Sequence, residues 1–169
     1  FLFLSYMHGL MFIQLKTDED IRERAHKQAM KLFFVTALVV VLFIGLTVVY
    51  TDVFNTRGWL LIPVYGLAVI LYLAIYPLLK NKKEGLSFTF SGLVLLLVTS
   101  SFFIGLFPNA VISTIDPAYN ISIYDAASGA YSLKVMTIVA AIMVPIVLGY
   151  TIWSYYVFRK RVTSKEHLE

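Results

Sequence analysis

An imidazole inside an apolar stretch is the first group in this chain that could do chemistry, because haem iron takes axial His, Met, Cys or Tyr ligands and most often at least one His. His8 is such a residue, whereas His26 and His167 fall in polar segments. Met7, Met11, Met136 and Met143 carry thioethers that could act as second ligands, although a methionine in an apolar run is ordinarily packing material. A histidine within a membrane span is by default a functional candidate. The alternative for His8 is a ring that sits at an interface or is satisfied by a neighbour. The chain has no cysteine, which excludes disulfides, zinc thiolate sites and iron–sulfur clusters. No Asp, Glu, Lys or Arg interrupts the apolar runs 32–50, 59–79, 86–107 and 135–158, which argues against a proton relay or ion path contained in them. No phosphate loop, nucleophile elbow or metal-ligand cluster is present either. The residues therefore assign no catalytic, cofactor-binding or metal-binding group to this chain.

The elements that would position His8 are membrane helices. Hydrophobic residues make up 59% of the sequence and charged residues 14%, with a mean hydropathy of +0.80, a composition that rules out a water-soluble core. The apolar runs at 32–50, 59–79, 86–107 and 135–158 approach the roughly 20 residues that a crossing needs, while 1–15 is too short and opens on Phe1. That first run reads as a truncated helix. A signal peptide there would need a basic leading segment and a small-residue cleavage site, and neither is present. Valine-rich runs such as Val39-Val40-Val41 would favour strands in water. In lipid, long apolar spans without polar alternation become helices, because every backbone group must be satisfied internally. The expected fold is all-α, a polytopic membrane helix bundle of about four full transmembrane helices plus one truncated N-terminal helix, in a single membrane domain spanning 1–169.

Sidedness follows from the basic residues. Lys16, Arg22, Arg24, Lys27 and Lys31 lie in the first connection, Lys80, Lys82 and Lys83 in the third, and Arg159, Lys160, Arg161 and Lys165 in the tail 159–169. Only Arg57 and Lys134 lie in the intervening connections. Twelve against two places the first group, and the C-terminus, in the cytoplasm. Because these charges flank apolar spans, the net charge of +4 indicates membrane orientation rather than nucleic acid. Tyr50, Trp59, Tyr76, Trp153, Tyr155 and Tyr156 form interfacial belts.

The connections hold the remaining candidates. Thr17-Asp18-Glu19-Asp20 offers a cap followed by acids for a first helical turn. Asp18 with Arg22, Asp20 with Arg24, and Glu23 with Lys27 are spaced as acid-first i,i+4 pairs, so the second span is expected to extend as a helix into the cytoplasm. That face reads either as a docking surface for a partner or anionic lipid, or as a plain solvated surface. In the outer connection 108–134, Asp125 is placed to cap a short helix opening with Ala126, Ala127 and Ser128. Pro145 is expected to kink the last span, and Pro63 to lie near a helix start. Ala141, Pro145 and Gly149 share one helix face, as do Ser101 and Gly105, and small residues at such spacing permit close helix packing.

The order and spacing of Phe107-Pro108-Asn109, Ile123-Tyr124-Asp125-Ala126-Ala127-Ser128 and the run from Val144-Pro145 through Trp153 to Arg159-Lys160-Arg161 resemble the C-terminal end of subunit II of the cytochrome bd quinol oxidases. His8-Gly9, Leu15-Lys16-Thr17 and Arg24-Ala25 resemble that family's segment around its fifth membrane helix, with Leu10 where the family more often has Ala. The family's subunit II is about twice as long, so the likeness is to its second half. The resemblance implies a haem-free subunit of a prokaryotic cell-membrane oxidase that oxidises quinol and reduces dioxygen to water. It also implies haem b and haem d in a haem-bearing subunit I, with no haem bound by this chain alone. Subunit I, the N-terminal half of the same subunit and membrane lipid are the implied partners, quinol and dioxygen the substrates of the complex. The structural or interface candidates are His8, Asp125, Ser128, Pro145, Gly149, Trp153 and Arg159. Half of a secondary transporter and a non-enzymatic membrane scaffold are the alternatives.

Overall fold

The structure, a computed structural model, describes residues 1–17 and 19–159, with the side chain of Glu19 left out. Lys160, Arg161, Lys165, His167 and the Asp18–Arg22 pairing lie outside the described residues. The described residues divide into two compact units, one within 1–105 and one over 106–159.

The first unit is built from four helices: α1 (Leu2–Lys16), α2 (Glu19–Tyr50), α3 (Val53–Lys80) and α4 (Glu84–Leu106). Each presents a stripe at helical spacing to a shared interior. α1 contributes Leu4, Met7, Leu10, Met11 and Gln14, and α2 contributes Ala25, Ala29, Phe33 and Thr36. From α3 come Leu61, Ala68, Tyr72, Ile75 and Leu79, and from α4 Glu84, Ser87, Ser91, Val94 and Ser101. Met7 and Met11 are thus core residues. α1 and α2 are the most intimately associated helices, and the small side chains of Ala25 and Ala29 on the seam permit that approach. The outward faces are apolar, including Leu38, Leu42, Ile62 and Leu96, as suits a surface bathed in lipid.

α2 is one uninterrupted helix of 32 residues. At 1.5 Å per residue it measures about 48 Å, well beyond a hydrocarbon core of about 30 Å, so its charged N-terminal part overhangs the apolar part. α3 starts earlier than the apolar run 59–79 and carries a break at Arg57 (φ −132°, ψ 16°). Pro63 therefore lies in the second turn after that break, inside the helix rather than near its start. The turn into α4 closes with Lys82 N–H donating to Leu79 O and Lys83 N–H to Leu78 O, both at 2.9 Å. Lys82 sits in the left-handed region at φ 53°, where glycine is the usual choice.

The second unit holds the connection and the last helix. β1 (Asn109–Val111) pairs antiparallel with β2 (Ile121–Ser122), Asn109 opposite Ser122. A 3-10 turn at Pro117–Tyr119 joins the strands, capped by Asp116, whose side chain accepts from Ala118 N–H at 2.8 Å. The short helix α5 (Ile123–Ala126) and the 28-residue helix α6 (Ala130–Val157) follow. The all-α expectation holds for the spans, and this small strand pair is the departure from it. α6 begins at Ala130, ahead of the apolar run 135–158, because Gly129 caps it and a lysine at 134 does not break a helix. Helices α2, α3, α4 and α6 are each long and apolar enough to cross a membrane. The molecule is a multi-pass helical membrane protein.

Candidate functional site

Polar side chains in the first unit are gathered along one seam among α1, α2 and α4. At its open end the Arg22 guanidinium donates through Nε to Glu84 Oε1 at 2.6 Å, with the Glu84 side chain only 8% exposed. Next to this pair, His26 Nδ1 lies 3.3 Å from Gln14 Oε1, and Gln14 is buried. Glu23 reaches Lys27 at 3.7 Å and Lys82 at 3.9 Å. Arg22, Glu23, His26, Lys82 and Glu84 line a polar cleft of about 120 Å³. The anticipated Glu23–Lys27 pair is formed, whereas Arg24 Nε donates to the Asp20 carbonyl at 3.3 Å.

Deeper along the same face of α4 come Ser87 and Ser91, both buried. His8 Nδ1 lies 2.7 Å from Ser91 Oγ, and its ring stacks on Phe88 with centroids 4.4 Å apart and planes 19° from parallel. Phe12 approaches the same Phe88 ring at 5.8 Å. His8 with Ser91 and Phe12 with Phe88 fix an antiparallel register between α1 and α4. Farther on, the Tyr72 hydroxyl donates to Phe33 O at 2.6 Å, and Ser101 Oγ lies 3.1 Å from the Tyr65 hydroxyl. Ser101 and Gly105 thus do separate things: Ser101 meets Tyr65, and Gly105 keeps space for Val53, whose Cγ1 would lie 3.3 Å from an added Cβ.

An apolar cavity of about 210 Å³ opens beside this interior, its walls including Phe3, Val40, Ala68, Tyr72, Val94 and Phe102. A haem does not fit there. The lining supplies no His, Met or Cys, and the hydroxyls of its two tyrosines, Tyr65 and Tyr72, are engaged with Ser101 and Phe33. Among the described residues there is no group of three or more His, Asp or Glu arranged to hold a metal ion.

The other candidates lie in the second unit. Asp125 is not the cap. Ser122 occupies that position, accepting from Asp125 N–H at 3.1 Å while its own hydroxyl donates to Asp125 Oδ2 at 2.7 Å. The cap thus stands three residues before Asp125, whose carboxylate binds the cap hydroxyl, and the helix lies at Ile123–Ala126. Ala126 therefore ends α5 instead of opening it, and Ser128 falls in the link to α6. α6 runs continuously across Pro145, and a Cβ at Gly149 would meet nothing within 4 Å. Trp153 lies against Tyr150 at 6.1 Å, and the Arg159 guanidinium sits 4.1 Å above the Tyr156 ring. Asp125, Trp153 and Arg159 each meet a local neighbour, and His8 belongs to the other unit.

Sequence reading missed Glu84, Ser91 and Gln14. The signal present was the spacing of Glu84, Ser87 and Ser91 on one face of an otherwise apolar span, but their partners lie far off in the chain.

A model of the family described as cytochrome bd terminal oxidase subunit II matches residues 1–158. The chain is 44% identical over 163 residues to the cytochrome bd ubiquinol oxidase subunit 2 of Bacillus subtilis, covering 96% of this chain and 48% of that protein. It is 34% identical over 101 residues to the cytochrome bd-I ubiquinol oxidase subunit 2 of Escherichia coli K12, covering 60% of this chain and 27% of the relative. It is 25% identical over 177 residues to a probable cytochrome oxidase subunit 2 of Haemophilus influenzae, covering 88% and 47%. The chain spans about half the length, or less, of these curated relatives.

Proposed function

The chain belongs to the cytochrome bd terminal oxidase subunit II family, and on that premise we propose that it is a haem-free part of a membrane oxidase that transfers electrons from quinol to dioxygen. Two quinols supply the four electrons and four protons that convert one dioxygen into two waters. In this reading haem b and haem d reside on the haem-bearing subunit I, and this chain supplies packing surface that keeps that subunit assembled. The N-terminal half of the family's subunit and membrane lipid complete its surroundings.

The observation that carries the proposal is how the interior polar groups are used. Arg22 faces Glu84, His26 faces Gln14, His8 faces Ser91 and Tyr72 faces Phe33 O, so the interior groups hold the helices to one another. In lipid, where apolar faces have no preference for protein over acyl chains, such pairs and close packing are what associate helices. A transporter half would instead need broken helices around a polar midplane site. The break in α3 falls at Arg57, in its opening turns. The α6 face carrying Ala141, Pro145 and Gly149 is assigned to contact with the rest of the complex, with Trp153 and Arg159 at the membrane boundary.

The complex purified through this chain is expected to show haem b and haem d absorption bands and quinol-dependent oxygen uptake, and membranes lacking the chain to lose that uptake. A purified complex without the bands would overturn the reading. Sidedness has its own check. Following the basic residues, a Lys82→Cys label is expected to react from the cytoplasmic face and an Asn109→Cys label from the outside. The reverse pattern would invert the topology.

A further inference from the structure

His8 has one ring nitrogen accounted for and one that is not. Ser91 Oγ donates its single proton to Phe88 O at 2.8 Å. Ser91 Oγ makes both contacts as hydrogen bonds only when His8 Nδ1 donates across the 2.7 Å one, and this is the tautomer that the arrangement favours. In a neutral imidazole this leaves the lone pair on Nε2. The ring cannot turn freely to hide it. Phe88 covers one face at 4.4 Å, and Cε1 would lie 3.4 Å from a Cβ added at Gly92, so the edge is close against α4. Among the described residues of the first unit no donor meets Nε2, and His8 is half-buried rather than enclosed.

The depth of this acceptor decides what can reach it. His8 stands eight residues from Lys16 and Ser91 seven from Glu84, which places the pair about 10–12 Å along the helices from their charged ends. If the helices cross a membrane as the proposed function has them, lipid headgroups are out of range, acyl chains carry no donor, and water is excluded at that depth. An open acceptor in hydrocarbon is costly, so a donor must come from protein.

We propose that His8 Nε2 accepts a hydrogen bond from a hydroxyl or N–H side chain on a neighbouring transmembrane helix of the assembled oxidase, outside the first unit. The face bearing His8, Phe12 and Phe88 is thereby a helix-contact surface, and Ser91 is the positioning residue that sets the tautomer. This rests on the oxidase-subunit reading for the membrane setting.

Two substitutions separate the two nitrogens. Glutamine can place an acceptor where Nε2 stands, whereas asparagine mimics Nδ1 and keeps a donor for Ser91 while leaving the outer position empty. In the complete complex, His8→Gln is expected to keep assembled complex within about twofold of wild type and His8→Asn to lower it about tenfold. The opposite order, or equal tolerance of both, would overturn the proposal. Should both variants fail to accumulate, nitrogen NMR of the histidine-labelled wild-type complex in membranes reads the atom directly. An unprotonated, hydrogen-bonded Nε2 supports the proposal and a free or protonated one sinks it. A photo-crosslinking residue at Phe12 names the source of the donor. Attachment to a polypeptide of the complex supports it, and attachment to lipid alone refutes it. Loss of the haem bands from the wild-type complex would instead strike the oxidase reading and leave the nitrogen result standing.

Discussion

Ala29→Leu is expected to leave almost no assembled protein in the membrane. Ala29 is fully buried on the face of α2 that also carries Ala25 and Phe33, in the interior shared with Met7, Leu10 and Met11 of α1. A branched side chain there must push the two helices apart. Overpacking of this kind costs about 1–3 kcal/mol in a soluble core. In lipid the loss is felt more fully, because close packing is itself the attraction between helices. At 2 kcal/mol the folded-to-unfolded ratio falls roughly thirtyfold. Native gel analysis of membranes is the measurement, with Val35→Leu as the control, since Val35 is exposed on the same helix. Equal levels for both variants would show that the α1–α2 seam is loose.

Arg22→Ala is expected to lower the thermal unfolding midpoint of the purified complex by several degrees. The substitution removes the 2.6 Å guanidinium partner of a carboxylate that is 8% exposed. Breaking a buried ion pair at one end costs about 3–5 kcal/mol and an exposed pair less than about 1; with Arg22 itself 37% exposed, about 2 kcal/mol is the expected loss. The double variant Arg22→Ala with Glu84→Ala is expected to recover part of that loss, since the buried carboxylate is then removed together with its guanidinium. Additive losses would mean that the two side chains act independently. Lys27→Ala is the contrast: its pairing with Glu23 is 3.7 Å long and exposed, and little change is expected.

What the sequence made legible was whatever depends on neighbours along the chain. Uninterrupted apolar length located the later part of α2 and most of α3, α4 and α6. The acids after Thr17 and the Glu23–Lys27 spacing marked the overhanging start of α2. Arg22 shows where this logic stops. Its contact with Glu84 is 62 residues away, beyond the reach of any local spacing, while the Asp18 pairing lies outside the described residues. The same holds for His8 and Ser91, 83 residues apart, which no helical period relates. In the connection, Asp125 looked like a cap because small helix-forming residues follow it. Ser122 three residues earlier captures that role once β2 delivers it in extended form. The strand pair itself joins segments of three and two residues, too short for alternation to register.

The three polar crossings at His8–Ser91, Gln14–His26 and Arg22–Glu84 act together as a vernier for the first unit. Leucines and valines facing acyl chains tolerate any vertical offset, so an apolar bundle could creep along its own axes with little resistance. Sliding α1 or α4 by one helical turn, about 5.4 Å, would bring the polar contacts it makes out of hydrogen-bonding range at the same moment. Shear is thereby denied to these helices, and any rearrangement of the unit must proceed by tilting as a block.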